Sequence, residues 1–370
     1  MNVEKLNTIC KNIQYDYTQS QIIANLTSVV QNLQNLINQP QQPAHQNNLA
    51  AARKKLTEVL SASKMNEYSP LWKQLLIEIG FDNLYGKQLN NHIENIFSKN
   101  TITPSTAYKE LTEILQKLQQ KNQAVENLIS SLRTFNIKYE ALNEGEGEIA
   151  IVIPRLAVNG NLEKFAKELE DLKKIVNDFN ELATGSRPEI KLKTISSSEY
   201  QILLDIVPTT AVCLVIAIDK IINTYKSIVE IRKNLKELQD IGVPNRNLKG
   251  IEDHANSIME KSISEGIKDL MSKFGQNLDP TRKKEMEVAI KFSMNKLSNR
   301  VDSGFNFDIK MKYEENNEKT EGETEPKEKE YYNFIKDKSK DLEFINLTGT
   351  KILSLTEAEK EKVNKSKTND

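Results

Sequence analysis

"PTTAVCLVIAIDKIINTYKSIVEIRKNLKEL", Pro208 to Leu238, opens with the most apolar run of the chain, Ala211–Ile218, and closes in alternating charges. A membrane span, a membrane-inserting segment and a core helix compete for it. The apolar stretch Ile206–Ile218 is fenced by Asp205 and Asp219. It falls well short of the about 20 apolar residues that a spanning helix needs. Beyond Asp219, Ile221, Ile222, Tyr225, Ile228, Val229, Leu235 and Leu238 keep one apolar side, which also carries Arg232. Pro208 fits the first turn of a helix or a kink. The pattern predicts one helix, about 46 Å long at 1.5 Å per residue. Its first half is expected to be buried all round and its second half on one face.

Strand signals flank this helix. In "EIAIVI", Ile149, Ile151 and Ile153 share one face and both faces are apolar, as in a covered central strand. In "PEIKLKTI", Ile190 and Leu192 alternate with Lys191 and Lys193. In "FNFDIKMKY", Phe305, Phe307, Ile309, Met311 and Tyr313 line one side, the clearest alternation in the chain. Between the first two, Leu162, Phe165, Leu169, Leu172, Val176, Phe179 and Ala183 form an apolar helical seam that Gly185 ends. "SSSE", Ser196–Glu199, reads as a capping box opening the next helix. The expected fold class is mostly α with a small sheet (α+β): long helices with heptad seams and three strands, 148–153, 189–195 and 305–313. The first two strands would form a βαβ-like unit.

Toward the N-terminus, Ile22, Leu26, Val29, Leu33 and Leu36 mark a helix over 18–38, and the Pro- and Gln/Asn-rich stretch 39–48 reads as a polar linker. Thr103 and Pro104 start a long helix over 104–136. Leu111, Leu118, Val125 and Leu132 repeat every seven residues, with Leu115, Asn122 and Ile129 between them. A lone Asn in a heptad seam selects register or strand number. The seam Leu111, Leu115, Leu118, Asn122, Val125, Ile129 and Leu132 is therefore expected to carry self-association. The other reading places Asn122 at the solvated edge of an intrachain helix pair.

The domain organisation that follows is a helix over 1–38, a linker over 39–48, a helical region over 49–147, a helical core with the sheet over 148–313, a charged linker over 314–330 and a small segment with a tail over 331–370. "EENNEKTEGETEPKEKE" lacks the apolar surface that would offset ordering entropy, so disorder is expected there. The aromatic and aliphatic cluster in "YYNFIKDKSKDLEFINLTGTKIL" suits docking on the body or on a partner.

Composition narrows the chemistry. Basic and acidic residues balance at 51 and 52, which gives no overall pull toward nucleic acid or anionic lipid. Cys10 and Cys213, far apart in apolar helical patterns, point to a reducing compartment and a cytoplasmic location. His45, His92 and His254 have no zinc-site spacing, and no phosphate loop or GxSxG elbow occurs. Glu144, Glu146 and Glu148 could bind a cation, but an acidic loop before a strand is more often just solvated, which is the expectation here. No catalytic residue, cofactor or metal site is assigned.

"IPR" (153–155), "FNELATG" (179–185), "ISSSE" (195–199), "AIDKIINTYKSIVEIRK" (217–233) and "RVDSGFNFDIKMKY" (300–313) resemble a family of uncharacterised bacterial proteins, over residues 148–313 only. The resemblance implies a recurrent, bacterial, cytoplasmic unit and transfers no site.

The leading functional expectation is a non-enzymatic helical interaction or scaffold protein, a homo-oligomer with an unidentified protein partner. The alternative is a membrane-active, pore-forming-like protein using 206–222. An enzyme with dispersed catalytic residues comes third.

Overall fold

The computed structural model describes residues 3–139, 142, 145–196, 200–276, 278–313, 327–342, 344, 345, 347 and 349–357. The chain divides into two compact units, Met1–Ala141 and Leu142–Asp370.

The first unit is helical: α1 (Val3–Ser20), α2 (Ile22–Asn38), α3 (Pro43–Ser61), α4 (Pro70–Glu78), α5 (Gly86–Lys99) and α6 (Pro104–Thr134), with a short 3-10 turn at Lys64–Glu67. The helix expected over 18–38 is two helices, because Gln21 takes a left-handed conformation (φ 48°) that ends α1. Asn25 Nδ2 donates to the carbonyls of Ser20 (3.0 Å) and Gln21 (3.1 Å), satisfying acceptors that the break exposes. The linker expected over 39–48 is also shorter than its composition suggested. Pro43 sits in the first turn of α3, where its missing N–H costs nothing. The Gln/Asn run then continues on the solvent side of that helix, while Leu49, Leu56 and Leu60 are buried. Helices α1, α2 and α5 pack against α6.

The second unit joins a sheet to a helical layer. Its elements are β1 (Gly147–Ile153), α7 (Arg155–Val158), α8 (Leu162–Thr184), β2 (Leu192–Ser196), β3 (Tyr200–Ile206), α9 (Pro208–Asp240), α10 (Asn245–Phe274), α11 (Pro280–Asp302), β4 (Asn306–Met311) and α12 (Lys327–Asp341). The fold class is α+β, as expected, but the sheet has four strands in the order β2-β3-β1-β4, all antiparallel. β1 is central, with Ile151 opposite Ile202 on one side and Phe307 on the other. No βαβ unit forms, because β3 separates β1 from β2. The "SSSE" capping box fails for the same reason. Ser196 closes β2, residues 197–199 lie outside the described residues, and the helix they were to open is β3. Within "YQILLDI" the continuous apolar run is Ile202–Leu204, and so short a run does not distinguish a buried strand from a buried helix.

α9 is the axis of this unit. It packs against α8, α10, α11, α12, β1 and β4. Ala211–Val215, Ala217 and Ile218 are all buried, so the run that opened the sequence analysis fills a protein core. Among the described residues no helix is long and apolar enough to cross a membrane.

A charged ladder ties α8 to α11. Glu168 pairs with Arg300, Asp171 with Lys296 (2.6 Å) and Arg300 (3.2 Å), Asp178 accepts from Ser293 Oγ (2.7 Å), and Glu181 pairs with Arg282. On the sheet, Lys193 sits 2.8 Å from Asp205 and 3.4 Å from Glu146, while Lys310 sits 2.8 Å from Glu148. Burial pulls the Lys193 ammonium down, but these carboxylates outweigh it and hold it above its ordinary value. Glu148 on β1 and Glu146 just before it are thus ion-paired rather than simply solvated; Glu144 lies outside the described residues.

Of the charged linker expected over 314–330, residues 314–326 lie outside the described residues and 327–330 form the first turn of α12. Ser339 Oγ on α12 donates to the Ile309 carbonyl of β4 (2.7 Å), and Lys338 meets Asp219 of α9 (3.0 Å).

Candidate functional site: a clamp for a peptide backbone

The heptad seam assigned to self-association is occupied within its own chain. Leu111, Leu115, Leu118, Val125 and Ile129 lie in the core of the first unit with residues of α1 and α2, and Leu132 is buried as well. Asn122 stands at the seam's half-exposed edge, where its Nδ2 donates to Glu126 (2.9 Å). The seam of α8 is buried from Leu172 onward in the second unit, with Leu162 exposed. The two seams serve different cores, one in each unit.

The most elaborate polar constellation lies elsewhere, on α9, α10 and α11. On α11, Asn295, Asn299 and Asp302 recur at i, i+4 and i+7, which places them on one helical face. That face is not solvated: Asn295, Asn299 and Asp302 are all buried. A buried amide or carboxylate needs partners, and all three side chains bond the backbone of residues 349–357, a stretch with no helix or strand of its own, although the buried Asn295 Oδ1 has no partner among the described residues.

Asn299 takes hold of Leu355 from both sides. Its Oδ1 accepts from Leu355 N (3.0 Å) and its Nδ2 donates to Leu355 O (2.9 Å). Asn256 on α10 accepts from Ser354 N (2.9 Å) and donates to Ile352 O (3.4 Å). Asn295 Nδ2 donates to Thr356 O (2.6 Å). Asp302 Oδ2 accepts from the N–H groups of Ile352 (2.7 Å) and Leu353 (2.6 Å). Side chains of α10 and α11 therefore bind the N–H groups of Ile352, Leu353, Ser354 and Leu355 and the carbonyls of Ile352, Leu355 and Thr356. Backbone bonding of this kind is indifferent to side-chain identity. Side-chain identity enters through Ile352, Leu353 and Leu355, which are buried, while Lys351, Ser354 and Thr356 are exposed.

Asp302, fully buried, is held from behind. Arg232 donates to its Oδ1 (2.8 Å) and to its main-chain carbonyl (2.7 Å), and the Tyr225 hydroxyl donates to the same Oδ1. Burial and then the Asp302 charge push the Tyr225 phenol well above its ordinary value, so it remains a donor. Arg232 also donates to Gly349 O (2.7 Å), closing the upstream end of the clamp. Gly349 has φ +80° and a Cβ there would stand 3.1 Å from Lys236 Cβ, so glycine is required on both counts. At the downstream end, Glu357 accepts from Asn299 Nδ2 (2.7 Å).

No residue of this clamp was singled out by sequence reasoning, although Arg232 and Tyr225 lie on the predicted apolar side of α9. The available signal was the spacing of Asn295, Asn299 and Asp302 among Ile290, Met294, Leu297 and Val301, all buried. The other half was the isolated apolar "KILSL" in a polar tail.

The remaining nucleophile candidates have inert surroundings. Burial pushes the Cys10 thiol up to about 11 and the Cys213 thiol higher still. Among the described residues no three His, Cys, Asp or Glu side chains converge as a metal-binding group. Comparison of the chain with protein-family models, with curated proteins and with solved structures finds no match.

Proposed function

We propose that the chain is a non-enzymatic interaction protein whose α9–α11 groove binds an extended peptide segment by its backbone, with residues 349–357 as its occupant in cis. The observation that carries this is the two-sided grip of Asn299 on Leu355, reinforced by Asn256, Asn295 and Asp302. A segment needed only to finish a core gains most from apolar packing; here seven main-chain groups are also matched by side chains of α10 and α11, and an eighth, Gly349 O, by Arg232 of α9. The partner this groove suits is a segment with apolar residues in the pattern of Ile352, Leu353 and Leu355, and a carboxylate two residues beyond the last.

Self-association belongs to the same proposal by a different route. The 111–132 seam is filled by α1 and α2, whereas a second copy carries the same 349–357 segment and satisfies the groove identically. The cytoplasm, as a reducing compartment, fits the two free thiols at Cys10 and Cys213.

Native-state amide exchange tests the reading. An exchangeable occupant opens locally, so Ile352, Leu353, Ser354 and Leu355 should exchange at far lower free energy than the buried strands β1 and β3. Exchange of these four amides only on global unfolding would make the segment a fixed part of the core and end the proposal.

A further inference from the structure

A second surface in the same unit is open. β2 is an edge strand: β3 pairs with one side of it, and among the described residues no strand pairs with the other. Beside it lies a cavity of about 470 Å³ between α8 and the sheet, lined by Leu169, Leu172 and Asn177 from the helix and by Leu192, Ile195 and Ile202 from the strands. The helix-facing side of the sheet runs out from under its cover here, leaving Leu192 55% and Ile195 46% exposed. Proteins commonly blunt such an edge with lysine. Lys193 does not serve that purpose, since Asp205, Glu146 and Glu148 engage it.

We infer that the β2 edge beside α8 binds an extended, net acidic segment of a partner protein by strand addition, its alternate apolar residues entering the α8–β2 cavity. An added strand pairs its backbone with the free edge and sends every second side chain to one face, which suits an apolar cavity flanking an edge strand. Charge selects the partner. Lys173 on the helix wall and Lys191 at the strand edge are exposed and have no ion-pair partner among the described residues. Arg187 is taken up by Glu181 (2.6 Å) and Asp178 (3.4 Å). Glu189 is the one acidic residue among those lining the cavity. A second copy pairing edge to edge would bring its own Lys173 and Lys191 to the same place, so like charges disfavour it.

Fluorescence anisotropy of the full chain with fluorescein-labelled Glu-Val-Thr-Val-Glu-Val tests this. Saturable binding is expected, weakened at least tenfold by Leu192→Glu and by Lys173→Glu, both at exposed positions. A probe N-methylated at alternate residues, and one with Lys in place of Glu, should fail to bind. Lys54→Glu, at an exposed position on α3 of the other unit, should leave the affinity unchanged. The inference is overturned by absence of saturable binding, by binding insensitive to Leu192→Glu, or by an equal loss in the Lys54 variant. It is equally overturned by a doubling of sedimentation mass that Leu192→Glu abolishes, which would give the edge to a second copy.

Discussion

Asn299 and Leu355 exchange two hydrogen bonds, N–H to Oδ1 at 3.0 Å and Nδ2 to carbonyl at 2.9 Å, so that a side chain of α11 treats a distant stretch of backbone as a neighbouring strand would. Replacing Asn299 by Ala leaves both main-chain groups of Leu355 without those partners in a buried setting. The expected loss is about 1–3 kcal/mol of unfolding free energy. Denaturant titration measures it, and limited proteolysis should show earlier cutting near 349–357. Unchanged stability and unchanged cutting would mean that the contact contributes nothing.

Arg232 and Asp302 form a buried ion pair, with side chains 6% and 0% exposed. Arg232→Met would strand the Asp302 carboxylate and free Gly349 O at once. Breaking one side of a buried pair typically costs about 3–5 kcal/mol, and the melting temperature should fall accordingly. A variant within the error of the parent would show that the Tyr225 hydroxyl and the Ile352 and Leu353 amides suffice to hold Asp302.

The apolar half of α9 makes a separate demand. Val215 is fully buried among residues of both the sheet and the helices. Val215→Asp should cost several kcal/mol and remove most soluble protein. A soluble, stable variant would show that this face of α9 is not core.

Acid sensitivity should centre on the α8–α11 ladder. Burial pushes the Asp171 carboxyl up, but Lys296 and Arg300 outweigh it; likewise Arg282 and Arg187 outweigh burial at Glu181. Both acids end below their ordinary range. A depressed folded-state value gives stability that is present above the unfolded value and is lost as pH falls through the folded one. Asp178 is opposite in sign: burial leaves its carboxyl raised, despite the Ser293 hydroxyl, so protonation favours its folded state. The double variant Asp171→Asn/Glu181→Gln should therefore be less stable than the parent at neutral pH and show a shallower loss below about pH 4.5, the region of the ordinary carboxylate values. Parallel pH profiles would remove the ladder from the account.

Asn122 separates the intrachain seam from the self-associating one. With its side chain half-exposed and bonded to Glu126, Asn122→Leu should change stability by less than about 0.5 kcal/mol. Light-scattering mass should not respond. A mass that shifts with the substitution would return the 111–132 seam to an interface between chains.

What the residues made legible follows how local each signal is. The helix from Pro208, the apolar seam of α6 and the central place of β1 rest on periodicities within one element. β3 was hidden because its apolar run fits helix and strand alike, and the strand order depends on pairing between Ile151, Ile202 and Phe307, far apart in sequence. The break at Gln21 has neither Gly nor Pro to mark it. The clamp was least visible. Asn295, Asn299 and Asp302 form a recognisable polar row beside the buried apolar residues of α11, yet nothing near them in sequence indicates that Ile352–Thr356 supplies their partners.

Whether the α9–α11 groove accepts an extended segment can be measured in a chain whose own residues 349–357 have been released from it. Leu353→Asp/Leu355→Asp should expel residues 349–357 and leave the groove open. A fluorescein-labelled peptide with the sequence from Gly349 to Glu357 should then bind it saturably with 1:1 stoichiometry. The same peptide should bind the parent far more weakly, because the tethered segment competes at an effective concentration of order millimolar, and adding Asn299→Ala to the released chain should abolish binding. A released chain that stays folded yet shows no saturable binding, or that binds equally well without Asn299, would contradict the account.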